Sequence, residues 1–182
     1  MDNRKIFQPY EMAKEKYTEL GVNVDTALEN LNKVSLSIHC WQGDDVGGFE
    51  KPESELSGGG IQITGNYPGK ARNVDEFRND LEKVYSLIPG HHRLNLHAIY
   101  GDFGGKYVDR DQIAPEHFKG WIDWARENNI KIDFNSTCFS HPMADSGFTL
   151  SSKDKSIRDF WIEHVKKARE ISSFIGKEQT TL

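Results

Sequence analysis

Only two cysteines, Cys40 and Cys138, occur in the 182 residues. No CxxC pair is present and neither cysteine has a partner at metal-ligand spacing, so the sequence argues against a disulfide framework or a zinc ribbon and predicts two reduced, buried thiols. No apolar run approaches the roughly 18 residues of a membrane span, and the charged N-terminal stretch lacks the apolar segment of a signal peptide. The expected location is therefore cytoplasmic, with no membrane partner. Basic residues are not in excess: 23 Lys and Arg stand against 28 Asp and Glu, for a net charge of −5. A nucleic-acid partner is not expected, because such surfaces need clustered positive charge. Three catalytic signatures are also missing. There is no Gly-x-Ser-x-Gly elbow and no HExxH pair, and Gly58-Gly59-Gly60 is not followed by the Gly-Lys-Ser/Thr of a phosphate loop.

What is present is an alternation of strand and helix patterns. The composition, 36% hydrophobic and 28% charged, is that of a globular chain. Tyr10, Ala13, Tyr17 and Leu20 are spaced for a helix from Pro9 to Leu20, stopped by Gly21. A second short helix is predicted after Asp25 as its N-cap. Then Ser35 to Trp41 alternates strictly and reads as a strand. A Gly-rich stretch from Gly43 to Asn73 follows, carrying Phe49, Ile61, Ile63 and Tyr67; a loop of that length is usually functional or disordered. Asn73 and Glu76 form a capping-box-like start to a helix with Phe77, Leu81, Val84 and Ile88 on one face, ended by Pro89-Gly90. Arg93 to Tyr100 is the second strand, and Pro115 opens a helix with Phe118, Trp121, Ile122 and Ala125 inward. The third strand is Ile130 to Asn135. Ser151 or Ser152 caps a final helix carrying Ile157, Trp161, His164, Ala168 and Ile171, with Gly176 just past its end.

This order predicts parallel strands joined by crossover helices. Successive strand residues point to opposite faces, so Leu36, Ile38 and Cys40, then Leu94, Leu96 and Ala98, then Ile130, Ile132 and Phe134 form a face for the helices to cover. The opposite face carries Ser37, His39 and Trp41, then Arg93, Asn95 and His97, then Asp133 and Asn135. Parallel strands are normally apolar on both sides, so a polar face calls for partners or a ligand. In a barrel it lines the interior, and the strand C-termini border the active-site mouth. His39, Trp41, His97, Asp133 and Asn135 are placed there, where imidazole and amide groups suit sugar hydroxyls and indole suits an apolar sugar face. Four of them have an alternative reading: His39 as a satisfied core histidine, Trp41 as core, Asp133 and Asn135 as ties for the following loop. His91 and His92 are expected in solvent, and His117 and His164 as structural. Asp44 and Asp45 read as solvated acids.

Several literal stretches resemble L-rhamnose isomerases. They are His39-Cys40-Trp41-Gln42-Gly43-Asp44-Asp45-Val46, Gly65 to Asn73, Arg93 to Tyr100, Pro115 to Lys119, Asp133-Phe134-Asn135, Cys138 to Pro142, and Ser156 to Ile162. The resemblance implies an aldose–ketose isomerase interconverting L-rhamnose and L-rhamnulose, dependent on a divalent metal, typically Mn2+, and built on a (β/α)8 TIM barrel like that of xylose isomerase. It further implies a homotetramer whose pocket is built partly across a subunit interface by the Gly-rich loop, with Phe49 as its apolar contact, His97 contacting the sugar and Trp41 in the wall. A complete barrel typically needs about 250 residues. The chain is therefore expected to be a partial barrel: a helical extension over 1–34 and the first three βα units over 35–182. The family's metal ligands are expected beyond Leu182, leaving no metal ligand and no catalytic residue here, and the chain alone is expected to be inactive. Two other readings stay open: a segment that needs a complementary chain, and another xylose-isomerase-like barrel enzyme.

Overall fold

A computed structural model describes residues 4–43, 47–50 and 69–180, with the side chains of residues 4, 5, 41 and 42 outside the description. Two helices, α1 (Arg4–Glu19) and α2 (Val24–Leu31), precede strand β1 (Leu36–His39). Helix α3 (Val74–Leu87), strand β2 (His92–His97), helix α4 (Lys119–Glu127), strand β3 (Lys131–Asn135) and helix α5 (Lys155–Thr180) follow. The strands are parallel in the order β1-β2-β3, with Ile38 level with Leu94 and Leu94 level with Ile132. The predicted strand–helix alternation and parallel sheet are therefore present.

The apolar strand face lies under the helices, as alternation requires. Leu94 and Leu96 are fully buried and Ile132 nearly so. They pack with Phe77 and Leu81 of α3, Trp121, Ile122, Trp124 and Ala125 of α4, and Ile171 and Ile175 of α5. Leu36 of the first strand is the exception; it is half-exposed. In the N-terminal pair α2 buries no residue, and Leu20 and Leu31 are exposed too. Lys14 of α1 pairs with Asp25 of α2 at 2.8 Å.

Several element ends differ from the sequence expectation, each for a local reason. Helix α1 starts at Arg4 and contains Pro9. Its end follows the prediction: Gly21 adopts φ 81°, and Val22 and Gly21 donate to the carbonyls of Tyr17 and Thr18, a Schellman closure. The cap of α2 is Asn23, not Asp25: the Asn23 side chain accepts the Thr26 N–H, while Asp25 sits in the first turn, where its charge suits the helix dipole. The Asn73 cap is as predicted, accepting from the Glu76 N–H at 2.9 Å, but the return arm of Glu76 goes to Arg72. Helix α5 is capped by Asp154 rather than by Ser151 or Ser152; its carboxylate takes both the N–H and the hydroxyl of Ser156. Gly176 lies inside α5, which continues to Thr180. The first two strands are shorter than predicted because Cys40–Gly43 and Ala98–Tyr100 wind into 3-10 turns.

Gly48 explains how the loop after β1 returns to the sheet. It holds φ +70°, and a Cβ there would stand 2.6 Å from the carbonyl oxygen of Ile99. Only glycine fits so close a backbone approach at positive φ. The next residue, Phe49, donates its N–H to that same oxygen at 2.7 Å. At the far edge of the sheet, Ile132 of β3 does not present bare backbone: its C=O accepts from the side-chain amide of Gln179, and its N–H donates to the oxygen of that amide.

Candidate functional site

The polar strand residues share the face away from the helices, and they fall into two groups. One group centres on Asp133, which stitches the three strands together from the middle of β3. It accepts from both Nε, at 2.9 Å, and Nη2, at 2.5 Å, of Arg93 of β2, and from the Ser37 hydroxyl of β1 at 2.6 Å. The Arg93 guanidinium, first, and the Ser37 hydroxyl hold the Asp133 carboxyl below its ordinary range. Asp133 lies level with Asn95 and His39, in the middle of β3 rather than at its end. The desolvation a polar face would suffer is thus offset by an internal ion pair in this group.

Toward the C-terminal end stand the last residues of the three strands: His39, His97 and Asn135. The rings of His39 and His97 are 5.9 Å apart, and the Asn95 amide lies 3.5 Å from His39 Nε2. Asn135 is exposed and accepts the Thr137 N–H at 2.9 Å, so it ties the following loop. His97 is only 1% exposed. Its Nδ1 is 3.0 Å from the hydroxyl of Thr137, which also accepts the Ala98 N–H at 3.1 Å. Burial first, then electrostatic repulsion from neighbouring His39 and Arg110, pushes the His97 imidazole down to about 4. At neutral pH it is an uncharged ring able to share hydrogen bonds with hydroxyl groups.

That shift has a stability consequence. Between about 6.5 and 4 an unfolded chain takes up a proton at this residue that the folded chain refuses. Stability is therefore full above the unfolded value and falls as the pH drops through that window, by at most ~1.4 kcal/mol per pH unit for one site. Burial also holds His164 below its ordinary value, so His97→Asn is expected to flatten only part of the slope. Urea midpoints at pH 7 and pH 5 for the parent and this variant measure it; equal slopes would exclude His97 as a source.

The other expected site residues are less gathered. Phe49 is half-buried, with its ring edge-on to Tyr100 at 5.5 Å and to Phe77 at 6.0 Å, so it joins the core cluster beneath α3 and α4. The Trp41 backbone lies in the 3-10 turn after β1, and its side chain lies outside the described residues. Asp44, Asp45, Ile61, Ile63 and Tyr67 lie outside them as well. His91 is exposed as expected, whereas His92 is half-buried and stacks on Tyr85. His117 accepts the Ala114 N–H at 3.0 Å, and His164 is fully buried. The two cysteines are not joined in a disulfide; Cys40 is buried and Cys138 half-buried. Among the described residues no three His, Cys, Asp or Glu side chains come together to hold a metal ion, and no helix is long and apolar enough to cross a membrane.

One buried pair escaped the sequence reading. Arg110, 1% exposed, meets Glu50, 4% exposed, at 3.1 Å. A charged residue in a polar loop ordinarily sits in solvent, and the 60 positions between these two leave no local pattern to join them.

The family described as L-rhamnose isomerase (RhaA) matches residues 4–182. The chain is 57% identical over 174 residues to an L-rhamnose isomerase of Bacteroides thetaiotaomicron, which covers 96% of this chain and 41% of that protein. It is 54% identical over 175 residues to one of Rhodopirellula baltica, covering 96% and 40%, and 55% identical over 177 residues to one of Escherichia coli, covering 97% and 42%. The chain thus spans about two-fifths of the length of these relatives. On both the family match and the identity sustained along almost all of its length, the chain belongs to the L-rhamnose isomerase family.

Proposed function

We propose that this chain supplies part of the sugar pocket of a metal-dependent aldose–ketose isomerase that interconverts L-rhamnose and L-rhamnulose. The observation that carries the reading is the 54–57% identity to proteins named L-rhamnose isomerase across 96% of the chain. The sheet supports it independently, because its helix-free face gathers hydrogen-bonding groups at the C-terminal strand ends, the place where a barrel opens to its substrate. In this reading the three parallel strands are the first of a (β/α)8 barrel in a cytoplasmic homotetramer. His39, His97 and Asn135 meet sugar hydroxyls and Trp41 forms a wall, while Phe49, packed on Phe77 and Tyr100, anchors the chain after β1 in the core. Asp133 acts mainly by holding Arg93 and Ser37, which keeps the floor of the pocket rigid.

Among the described residues no three His, Cys, Asp or Glu side chains converge on a metal position. On the family resemblance, the proposal assigns Mn2+, or another divalent ion, to the full-length protein, and gives these strands the work of binding and orienting the sugar. A second reading follows from the same observation together with the two-fifths coverage. In it the 182-residue chain alone is an inactive segment that needs the rest of the protein.

Two measurements separate the readings. The full-length protein containing this chain is assayed for ketose formation from L-rhamnose with Mn2+ and after chelation. Turnover that depends on metal is the expected result, and no rhamnulose with metal present would defeat the isomerase reading. Calorimetric titration of the 182-residue chain with Mn2+ is expected to show no tight binding. Stoichiometric uptake would show that the ligands lie within it.

A further inference from the structure

The loops after β1 and β3 meet on the Arg110 side chain. Its five N–H groups are all engaged. Nε and one Nη2 hydrogen reach the Glu50 carboxylate, at 3.1 Å each. Nη1 donates to the carbonyl of Thr137 at 2.6 Å and to that of Phe139, and Nη2 also donates to Ser140 at 3.0 Å. Only the planar guanidinium fork offers five donors in fixed directions; an ammonium offers three. A buried ion pair adds little net stability over an apolar substitute, so a role in fixing geometry is the better account of it.

The segment it grips is strained. Thr137 and Ser140 hold φ of 58° and 53°. For a β-branched residue such as Thr137 this left-handed backbone is an outlier that persists only where its surroundings enforce it. Arg110 takes the carbonyls of both residues. A second brace comes from α5, whose buried His164 contacts the carbonyl of Arg110 at 2.8 Å and that of Ser136. Thus held, Thr137 turns its hydroxyl back to β2, onto His97 Nδ1 and the Ala98 N–H.

We propose that Arg110 is a positioning residue of the sugar pocket: by joining Glu50 to the carbonyls of the loop after β3, it holds Thr137 against His97 and so fixes the orientation of that imidazole. The sugar part rests on the isomerase reading; the link from Arg110 to His97 rests on geometry alone.

The test uses the full-length protein with Arg110→Lys, Thr137→Val and Thr137→Ser. Histidine-labelled NMR reads the His97 ring, kinetics with L-rhamnose read KM and kcat, and a thermal midpoint reports folding. Arg110→Lys and Thr137→Val are expected to shift the His97 resonance and raise KM by about tenfold or more, the equivalent of ~1.4 kcal/mol. kcat is expected to stay within about threefold. Thr137→Ser, which keeps the hydroxyl, should leave both readouts as in the parent. An unmoved His97 resonance in folded Thr137→Val, or a parental KM with only a lowered midpoint, would reduce Arg110 to a structural brace and overturn the proposal. If Arg110→Lys does not fold, Thr137→Val decides. A parent protein that leaves rhamnose unchanged would sink the isomerase reading alone, and the NMR comparison would still decide the link.

Discussion

Alanine in place of Trp121 is expected to remove 3–5 kcal/mol of unfolding free energy, roughly the range found when a large aromatic is deleted from a core. Trp121 is fully buried where α3 and α4 meet the sheet. Its ring stands edge-on to Phe77 at 5.9 Å and to Trp124 at 5.6 Å, and the Arg78 guanidinium lies over it at 4.8 Å. Its indole N–H donates to the Tyr100 carbonyl at 2.7 Å. Truncation therefore opens a cavity and also strips a donor from a buried carbonyl. Trp121→Phe separates the two, since it keeps most of the packing and loses the hydrogen bond, for about 1–3 kcal/mol. Urea unfolding of the full-length protein checks both. Equal losses for Ala and Phe would show that the hydrogen bond, not the packing, dominates.

His97→Ala is the second large effect, and it falls on activity. If the proposed isomerase function holds, a buried ring sharing hydrogen bonds with a hydroxylated substrate contributes about 1–3 kcal/mol to binding, so kcat/KM of the full-length protein for L-rhamnose is expected to fall by roughly 10- to 100-fold. His97→Gln keeps hydrogen-bonding atoms and is expected to recover part of the loss. A kcat/KM within about twofold of the parent in a folded His97→Ala protein would remove His97 from the pocket. The pairing of Thr137 with Nδ1 also predicts that adding Thr137→Val to His97→Ala changes little further, because both act through one contact.

These two residues also mark what the sequence could disclose. Trp121 was legible because helical spacing put it in register with Phe118, Ile122 and Ala125; Trp124, also buried, was missed, since its indole reaches sideways to Glu82 at 2.8 Å. His97 was legible from alternation alone, which separates it cleanly from Leu96. The two-faced sheet followed from the same period of two. What alternation could not reveal is which polar residues satisfy one another. Asp133, Arg93 and Ser37 come from three strands, and nothing in the sequence says that they form one cluster. Thr137 was invisible for another reason. Its importance lies in a left-handed backbone that residue type argues against, and that is sustained by Arg110 and His164 from distant segments. Helix caps were misplaced by two or three positions at α2 and α5 because Asn, Asp and Ser compete for that role within a few residues.

The Gln179 amide at the rim of β3 has a consequence for assembly. It offers Ile132 one donor and one acceptor, the same pair a neighbouring strand would bring. An incoming strand can therefore pair with Ile132 once the Gln179 side chain rotates away, and the exchange leaves the number of hydrogen bonds on Ile132 unchanged. Until such a strand arrives, this side-chain mimic makes the rim a poor template for self-association, the hazard that bare sheet margins ordinarily carry.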